Sequence, residues 1–187
     1  MRNLRCIIIS LVTIALSSCN ADNEYCTKYS CYFLFYTQYH TTSNIISAIN
    51  PLAPGTFVKI SLKRISNITH VYVYGYGVSN EDTQLTTDKE NYPYTSGLYL
   101  GANNSIIVGY SMYGGLCAYD GQCPNCLESS SSTNFPLTWD NSGQSVKCSK
   151  CGRCYNLSTG TVSSGNAGIQ LLKYRATYDG TALIVHN

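Results

Sequence analysis

Two closely spaced cysteine pairs constrain the fold of this 187-residue chain more than any other feature. Each has the form Cys-x-x-Cys, and 21 residues separate Cys123 and Cys126 from Cys148 and Cys151. A two-residue spacer lets the chain bend tightly enough for both sulfurs to face one point, so two bends can complete a tetrahedron. Gly152 follows the second pair, where such a bend often requires a positive φ. The pattern predicts a metal site built by two loops or, in an oxidising compartment, disulfide bonds.

The composition outside these pairs favours a sheet protein. The chain contains 17 tyrosines and 15 glycines, and only 12% of its residues are charged. Abundant aromatic residues with glycine turns are typical of strands. Strand-like patterns, either alternating with a period of two or continuously apolar, occur in residues 56–62, 70–78, 105–110 and 172–177. Asp179-Gly180 predicts a two-residue hairpin turn, and only residues 43–50 predict a helix, of one or two turns. We therefore expect an all-β protein.

The first residues have the layout of a secretory signal. Arg2 and Arg5 precede an apolar run, residues 6–16, that is too short to span a bilayer. The run ends in Leu16-Ser17-Ser18-Cys19, which resembles the lipobox of bacterial lipoproteins. This resemblance implies cleavage before Cys19 and attachment of lipid to its thiol, so the partner is a membrane reached through a lipid anchor. The acidic segment 20–24 resembles the surface-export tags of Bacteroidota lipoproteins, and we expect anchoring in the outer membrane or cell envelope of such a bacterium.

The charge of the expected mature chain excludes one class of partner. Without Arg2 and Arg5, the chain carries ten basic and ten acidic residues. A chain without net charge lacks the electrostatic footprint of a nucleic-acid-binding protein. We therefore expect no nucleic-acid partner.

The residues around and after the second cysteine pair resemble a known family. The segment Cys148-Ser-Lys-Cys151-Gly-Arg-Cys-Tyr-Asn-Leu-Ser-Thr-Gly160, followed by Gly165-Asn-Ala167, resembles the second half of a Rieske domain. Ala118-Tyr119-Asp120 resembles the strand that leads into the first cluster loop of that family. The resemblance covers residues 105–187 by motif and extends from Thr56 by strand order. It implies small antiparallel sheets, one of which carries a rubredoxin-like or zinc-ribbon-like site on two loops, and electron transfer through a 2Fe-2S centre.

The chain departs from the Rieske pattern at the ligands themselves. Cysteine stands at both places where a Rieske domain has a ligating histidine, and the histidines His40, His70 and His186 lie in neither loop. Imidazole ligands raise the potential of a Rieske centre, and thiolates in their place would lower it by several hundred millivolts. The resemblance therefore predicts the fold without the Rieske redox role.

These observations predict a domain organisation and a set of sites. We expect a signal peptide over residues 1–18, an N-terminal anchor segment over 19–55, and a Rieske-like β domain over 56–187 whose cysteine loops span 117–160. Zinc or a single iron ion at the four paired cysteines is one interpretation, and a 2Fe-2S cluster or disulfides are the alternatives. The signal is of the type that exports unfolded chains. An iron–sulfur cluster built in the cytosol could not travel in an unfolded chain, whereas zinc can bind after export, as the chain folds. The remaining cysteines are candidates for disulfides: Cys26, Cys31, Cys117 and Cys154.

No catalytic residue is predicted. The chain has no serine elbow, P-loop or dinucleotide-binding fingerprint, and its histidines lie outside any recognisable catalytic pattern. One hypothesis is a non-enzymatic binding or envelope module in which a metal holds the loops. The alternative is an iron-containing electron carrier, or a component of an oxidoreductase, acting with an unidentified protein partner. We expect Trp139 to pack over the metal loops, and Asp120 and Asp140 to be turn residues.

Overall fold

The computed structural model describes residues 24–90, 97–140 and 142–187. The strands in these ranges are β1 (Cys31–Tyr36), β2 (Phe57–Ile65), β3 (Ile68–Gly75), β4 (Glu81–Leu85), β5 (Tyr99–Leu100), β6 (Ser105–Ser111), β7 (Gly115–Asp120), β8 (Leu137–Trp139), β9 (Ser145–Cys148), β10 (Cys154–Asn156), β11 (Val162–Ser164), β12 (Lys173–Tyr178) and β13 (Ala182–His186). The helices are α1 (Asn44–Ala48), α2 (Pro124–Glu128) and the short 3₁₀ turns Thr37–Tyr39 and Gly101–Asn103.

Nine strands form one large antiparallel sheet in the order β4-β3-β2-β6-β7-β12-β13-β1-β5. Apolar residues from strands near both ends of this order, including Phe33 of β1 and Val71 of β3, belong to one core cluster. The sheet therefore curves around this first core. The helix α1 adds Ile45 to the same core, and its N-terminus is capped by Ser43, whose Oγ accepts a hydrogen bond from the Ile45 N–H at 3.2 Å.

The other four strands form a small antiparallel sheet in the order β11-β10-β9-β8. This small sheet packs on the opposite face of the large one, where Phe57, Ile107 and Tyr119 of the large sheet meet Leu137 and Tyr155 of the small sheet in a second core. The strand β6 is buried on both faces, because Ile106 and Val108 enter the first core while Ile107 enters the second. Its continuous apolar run thus reflects burial on both sides.

The fold is all-β with antiparallel sheets, which confirms the predicted fold class. Each strand-like pattern of the sequence corresponds to a strand, and the predicted helix is α1. The C-terminal hairpin is also confirmed, although its two central turn residues are Gly180 and Thr181, one position later than predicted. The reason is that the carboxylate of Asp179 accepts hydrogen bonds from the N–H groups of Thr181 and Ala182, each at 2.8 Å.

The predicted anchor segment 19–55 contributes a strand, β1, to the large sheet. Strand β1 lies between β13 and β5, and Phe33, Phe35 and Ile45 are fully buried in the first core. The structure therefore places part of this segment in the same core as the strands of residues 56–187. The predicted signal peptide and Cys19 lie outside the described residues. None of the helices that the structure describes is long and apolar enough to cross a bilayer.

A buried carboxylate joins the large sheet to the loop that precedes β6. Asp120, at the end of β7, is fully buried and accepts three hydrogen bonds: from the Ala102 N–H at 2.7 Å, the Gln122 N–H at 2.8 Å and the Tyr174 hydroxyl at 2.8 Å. Burial raises the pKa of this carboxyl to about 6, although the three donors partly oppose the effect. Asp120 was expected to be a turn residue; it is instead the centre of a buried polar junction.

This junction predicts a pH dependence of stability. In the unfolded chain the carboxyl has a pKa of about 3.9, so the folded state binds more protons between that value and about 6. The contribution of Asp120 to the free energy of unfolding therefore falls as the pH rises through this window, by up to about 3 kcal/mol, and is level above it. We expect Asp120→Asn, measured beside the wild type by urea unfolding from pH 4 to 7, to lack this fall.

All other titrating groups are common to the two proteins, so the difference between their profiles isolates Asp120. A constant difference between the two profiles across this pH range would contradict the prediction.

Candidate metal centre

The first cysteine pair lies at the start of a short helix. Cys123 is the N-cap of α2, and Pro124 occupies the first helical position, where the missing N–H is tolerated and the fixed φ suits a helix. The N–H of Leu127 donates to the Cys123 carbonyl at 3.0 Å, which completes the first turn. Cys126 is thereby placed on this first turn, so that both sulfurs belong to one tight bend.

The second cysteine pair lies at the turn between β9 and β10. Cys148 ends β9, and its N–H donates to the Arg153 carbonyl at 2.9 Å, while the Gly152 N–H donates to the Cys148 carbonyl at the same distance. Gly152 has φ of 73°, and no atom lies within 4 Å of where its Cβ would be. Glycine is therefore required here by the left-handed backbone and not by lack of space.

The two bends bring four sulfur atoms together. The Sγ atoms of Cys123 and Cys151 are 3.6 Å apart, those of Cys126 and Cys148 are 3.7 Å apart, and all four lie within 4.8 Å of one another. A tetrahedral zinc ion with Zn–S bonds of about 2.3 Å requires S–S separations of about 3.8 Å. These residues, called the four-cysteine site below, can therefore hold one metal ion.

The same sulfur–sulfur distances distinguish a metal site from disulfide bonds. A disulfide bond joins sulfurs at about 2.05 Å, far closer than either pair in the four-cysteine site. The site is also sheltered from water, because three of its four cysteines are buried and Cys151 is half-buried.

Two residues outside the cysteine pairs connect the four-cysteine site to its surroundings. The hydroxyl of the fully buried Tyr155 lies 3.2 Å from the Cys123 Sγ and accepts a hydrogen bond from the Asn125 Nδ2 at 2.8 Å. Asn125 also exchanges two hydrogen bonds with the backbone of Ile169, at 2.9 and 3.0 Å. These contacts tie the first bend to β10 and to the loop before β12. Neither Tyr155 nor Asn125 is predicted as a site residue by the cysteine pattern, because both are brought to the site by tertiary contacts.

Arg153 places positive charge beside the second bend. Burial alone would raise the pKa of the Cys151 thiol, but hydrogen bonds from the backbone and guanidinium of Arg153 outweigh it and lower this pKa to about 6. The guanidinium also donates to the carbonyls of Asn166 and Ala167, at 2.9 and 3.1 Å. By contrast, burial raises the pKa of the Cys123 and Cys126 thiols. Arg153 thus favours negative charge on the most accessible sulfur of the site.

The other predicted cysteines lie apart from the four-cysteine site. Cys31 belongs to the first core, and Cys26 packs against the same cluster. Cys117 lies on β7 of the large sheet, with its Sγ 3.5 Å from the Gly109 carbonyl, whereas Cys154 begins β10 of the small sheet. The disulfides proposed for these four residues stay a prediction.

The histidines His40 and His70 have partners of their own. His40 Nε2 lies 2.6 Å from the buried Glu90 carboxylate, and His70 Nδ1 lies 2.7 Å from the Asp82 carboxylate. In the described part of the chain, the four-cysteine site is the only cluster of three or more metal-ligating side chains. Trp139 packs against the second core and is paired with Val146 of β9, one strand from the cysteine turn.

No protein-family model matches this chain, and no curated protein matches it either. The interpretation of the site therefore depends on the arrangement of its own residues.

The contact between Tyr155 and Cys123 predicts an effect on metal affinity. Tyr155→Phe removes the hydroxyl near the sulfur and the acceptor used by Asn125. Partners of this kind orient metal ligands, and their loss typically weakens metal affinity by roughly 10- to 100-fold. We expect a loss of this size in a competition between the protein and a zinc chelator.

The matched control is Tyr113→Phe, since the Tyr113 side chain is 80% exposed. Equal zinc affinities in the two variants would show that the Tyr155 hydroxyl does not support the site.

Proposed function

We propose that this protein is a lipid-anchored bacterial envelope protein whose four-cysteine site binds one structural metal ion, zinc in the simplest case. In this proposal it is a non-enzymatic binding module. The observation that carries the proposal is the convergence of four cysteine sulfurs to within 4.8 Å of one another. Four thiolates fill every position of a tetrahedral zinc ion, so no position is left for water or substrate, and such closed sites are structural.

The geometry favours a single ion over a cluster. In a 2Fe-2S centre the thiolates on different irons are separated by the two metals and their bridging sulfides. Sulfurs that all lie within 4.8 Å of one another match ligands of one ion better. Export of an unfolded chain supports the same choice, because zinc binds as the chain folds.

The four-cysteine site also explains how so small a sheet is held in place. The strands β8 to β11 have three or four residues each, at the short end of the usual range. A divalent cation bound to the four cysteines would offset half of the thiolates' negative charge and link α2 to the β9–β10 turn. The order of this turn, the small sheet and the C-terminal hairpin supports a Rieske-like fold, which we propose for residues 56–187 together with β1 and α1, which complete its large sheet and first core.

Metal analysis with thiol counting tests the metal. For the full chain purified in detergent, we expect one zinc per chain and no visible absorption. At least four thiols should become reactive only when the protein is unfolded with a chelator. Visible absorption that bleaches with dithionite would instead indicate iron and the electron-carrier alternative. A protein with neither metal nor free thiols would remove both.

Single cysteine variants test which residues hold the metal. Cys151→Ser removes one of the four converging sulfurs, whereas Cys154→Ser makes the same substitution three residues later, at a buried position outside the four-cysteine site. The binding energy of a structural zinc, on the order of 10 kcal/mol, is folding energy. We therefore expect Cys151→Ser to lose zinc and several kcal/mol of stability, and Cys154→Ser to retain its zinc. Retention of zinc and full thermal stability by Cys151→Ser would contradict the proposal.

The lipid anchor is tested separately, by fractionation of bacteria that produce the full chain. We expect the wild type in the membrane fraction and Cys19→Ser in the soluble fraction, because only Cys19 follows the lipobox-like residues. Cys26→Ser is the control and should remain with the membrane. A Cys19→Ser protein that also stays there would exclude this anchor.

A further inference from the structure

A groove separates the large sheet from β8 of the small sheet. Its volume is about 240 Å³, and it is lined by Lys59, Tyr74, Gly75, Asn80, Thr138 and Trp139. Pockets for drug-sized ligands have volumes of roughly 300–1,000 Å³, so this groove suits a molecule with a single ring. Neither the four-cysteine site nor the proposed structural role of the metal involves these side chains.

The lining of the groove includes a cation for which the described residues supply no anionic partner. Lys59 lies on β2, directly opposite Tyr74 of β3, and its ammonium donates to the Leu137 carbonyl at 3.2 Å. In the ranges the structure describes, no carboxylate lies within 4 Å of this half-buried ammonium. Burial lowers the pKa of Lys59, because it disfavours the charged form. An ammonium has three N–H groups, so an acceptor with negative charge would satisfy the remaining donors.

The sides of the groove are aromatic. Tyr74 of β3 in the large sheet and Trp139 of β8 in the small sheet both line it. Tyr72 stacks on Tyr74, with ring centroids 6.5 Å apart and planes inclined by 15°, which extends a flat surface along β3. The indole N–H of Trp139 is buried without a hydrogen-bond partner among the described residues. The lining therefore combines flat apolar surfaces with an ammonium that donates to one carbonyl and has further N–H groups to offer.

We infer that this groove binds a small organic anion, namely a carboxylate carried on a single six-membered ring. The ring would lie between Tyr74 and Trp139, and the carboxylate would accept a charge-assisted hydrogen bond from the Lys59 ammonium. Two sources share this chemistry, an acidic sugar and an aromatic acid. The inference rests on the proposed role as a binding module, for which it names the class of ligand.

The groove is structurally connected to the four-cysteine site. Leu137, whose carbonyl holds Lys59, is paired in the small sheet with Cys148, one of the four cysteines. Strand β8 is thus positioned by the same hairpin that supplies the second cysteine pair. An ion at the four-cysteine site would accordingly keep one side of the groove in place, at a distance from the ligand itself.

The chain offers its own probe for this binding. Trp139 is the only tryptophan, so tryptophan emission reports on the groove alone. We would titrate the metal-loaded full chain with glucuronate and with benzoate, and with glucose and benzyl alcohol as the uncharged counterparts. We expect a saturable change in emission with at least one of the two carboxylates, and an affinity at least tenfold weaker for its uncharged counterpart. The carboxylate that binds more tightly identifies the source.

Three lysine variants test the assigned cation. Lys59→Met should weaken carboxylate binding by at least tenfold, since charge-assisted hydrogen bonds contribute about 1.5–3 kcal/mol. Lys63→Met removes the same charge from an exposed position four residues along β2, outside the groove lining, and should leave the affinity unchanged. Lys59→Arg, which keeps the charge, should restore part of the binding.

The inference is overturned if neither carboxylate gives saturable binding, if the uncharged compounds bind equally well, or if the two methionine variants behave alike. Zinc content is measured in the same samples. Failure of binding by a protein that carries its full zinc complement counts against the groove alone, whereas a wild type without metal counts against the proposed function.

Discussion

The convergence of the four cysteine sulfurs brings the helix α2 and the β9–β10 turn together at one point. The strands of the small sheet have only three or four residues each, and the sheet attaches to the large one through the second core, to which three of the four cysteines belong. Four ionised thiols so close together would repel one another. If all four were neutral, the negative charge that Arg153 favours on the Cys151 sulfur would be absent. A cation bound to all four resolves both problems, and it does so without any contribution from the histidines of the chain.

The large sheet organises the molecule because it is used on both faces. Its curvature encloses the first core, while the opposite face of β2, β6 and β7 carries the small sheet. Where the small sheet ends, Lys59 and Tyr74 continue on the same face and form the groove with Trp139. The junction at Asp120 holds the loop before β6 against β12. The four-cysteine site and the groove thus both result from the packing of the small sheet on the large one.

Local patterns predicted much of this fold. The helix α1, the C-terminal hairpin and the strands β2, β3 and β6 follow from alternation, capping and turn residues, which act over a few positions. Strand β4 and the short strands β5 and β8 to β11 were not predicted. Strand β1 was missed, although Phe33 and Phe35 alternate with residues that are less buried, because the segment was assigned to an anchor. The position of Asp120 was also missed, since its partners Ala102 and Tyr174 are 18 and 54 residues away in sequence.

The sequence by itself determined the fold class and which four cysteines are candidate ligands, because a two-residue spacer dictates a tight bend whatever surrounds it. Only the tertiary structure decided that both bends meet at one point, that Tyr155 and Asn125 support the first, and that a cation and two aromatic rings face one groove. These contacts join residues from separate strands and loops. They arise from how the two sheets pack, which no local pattern of residues records.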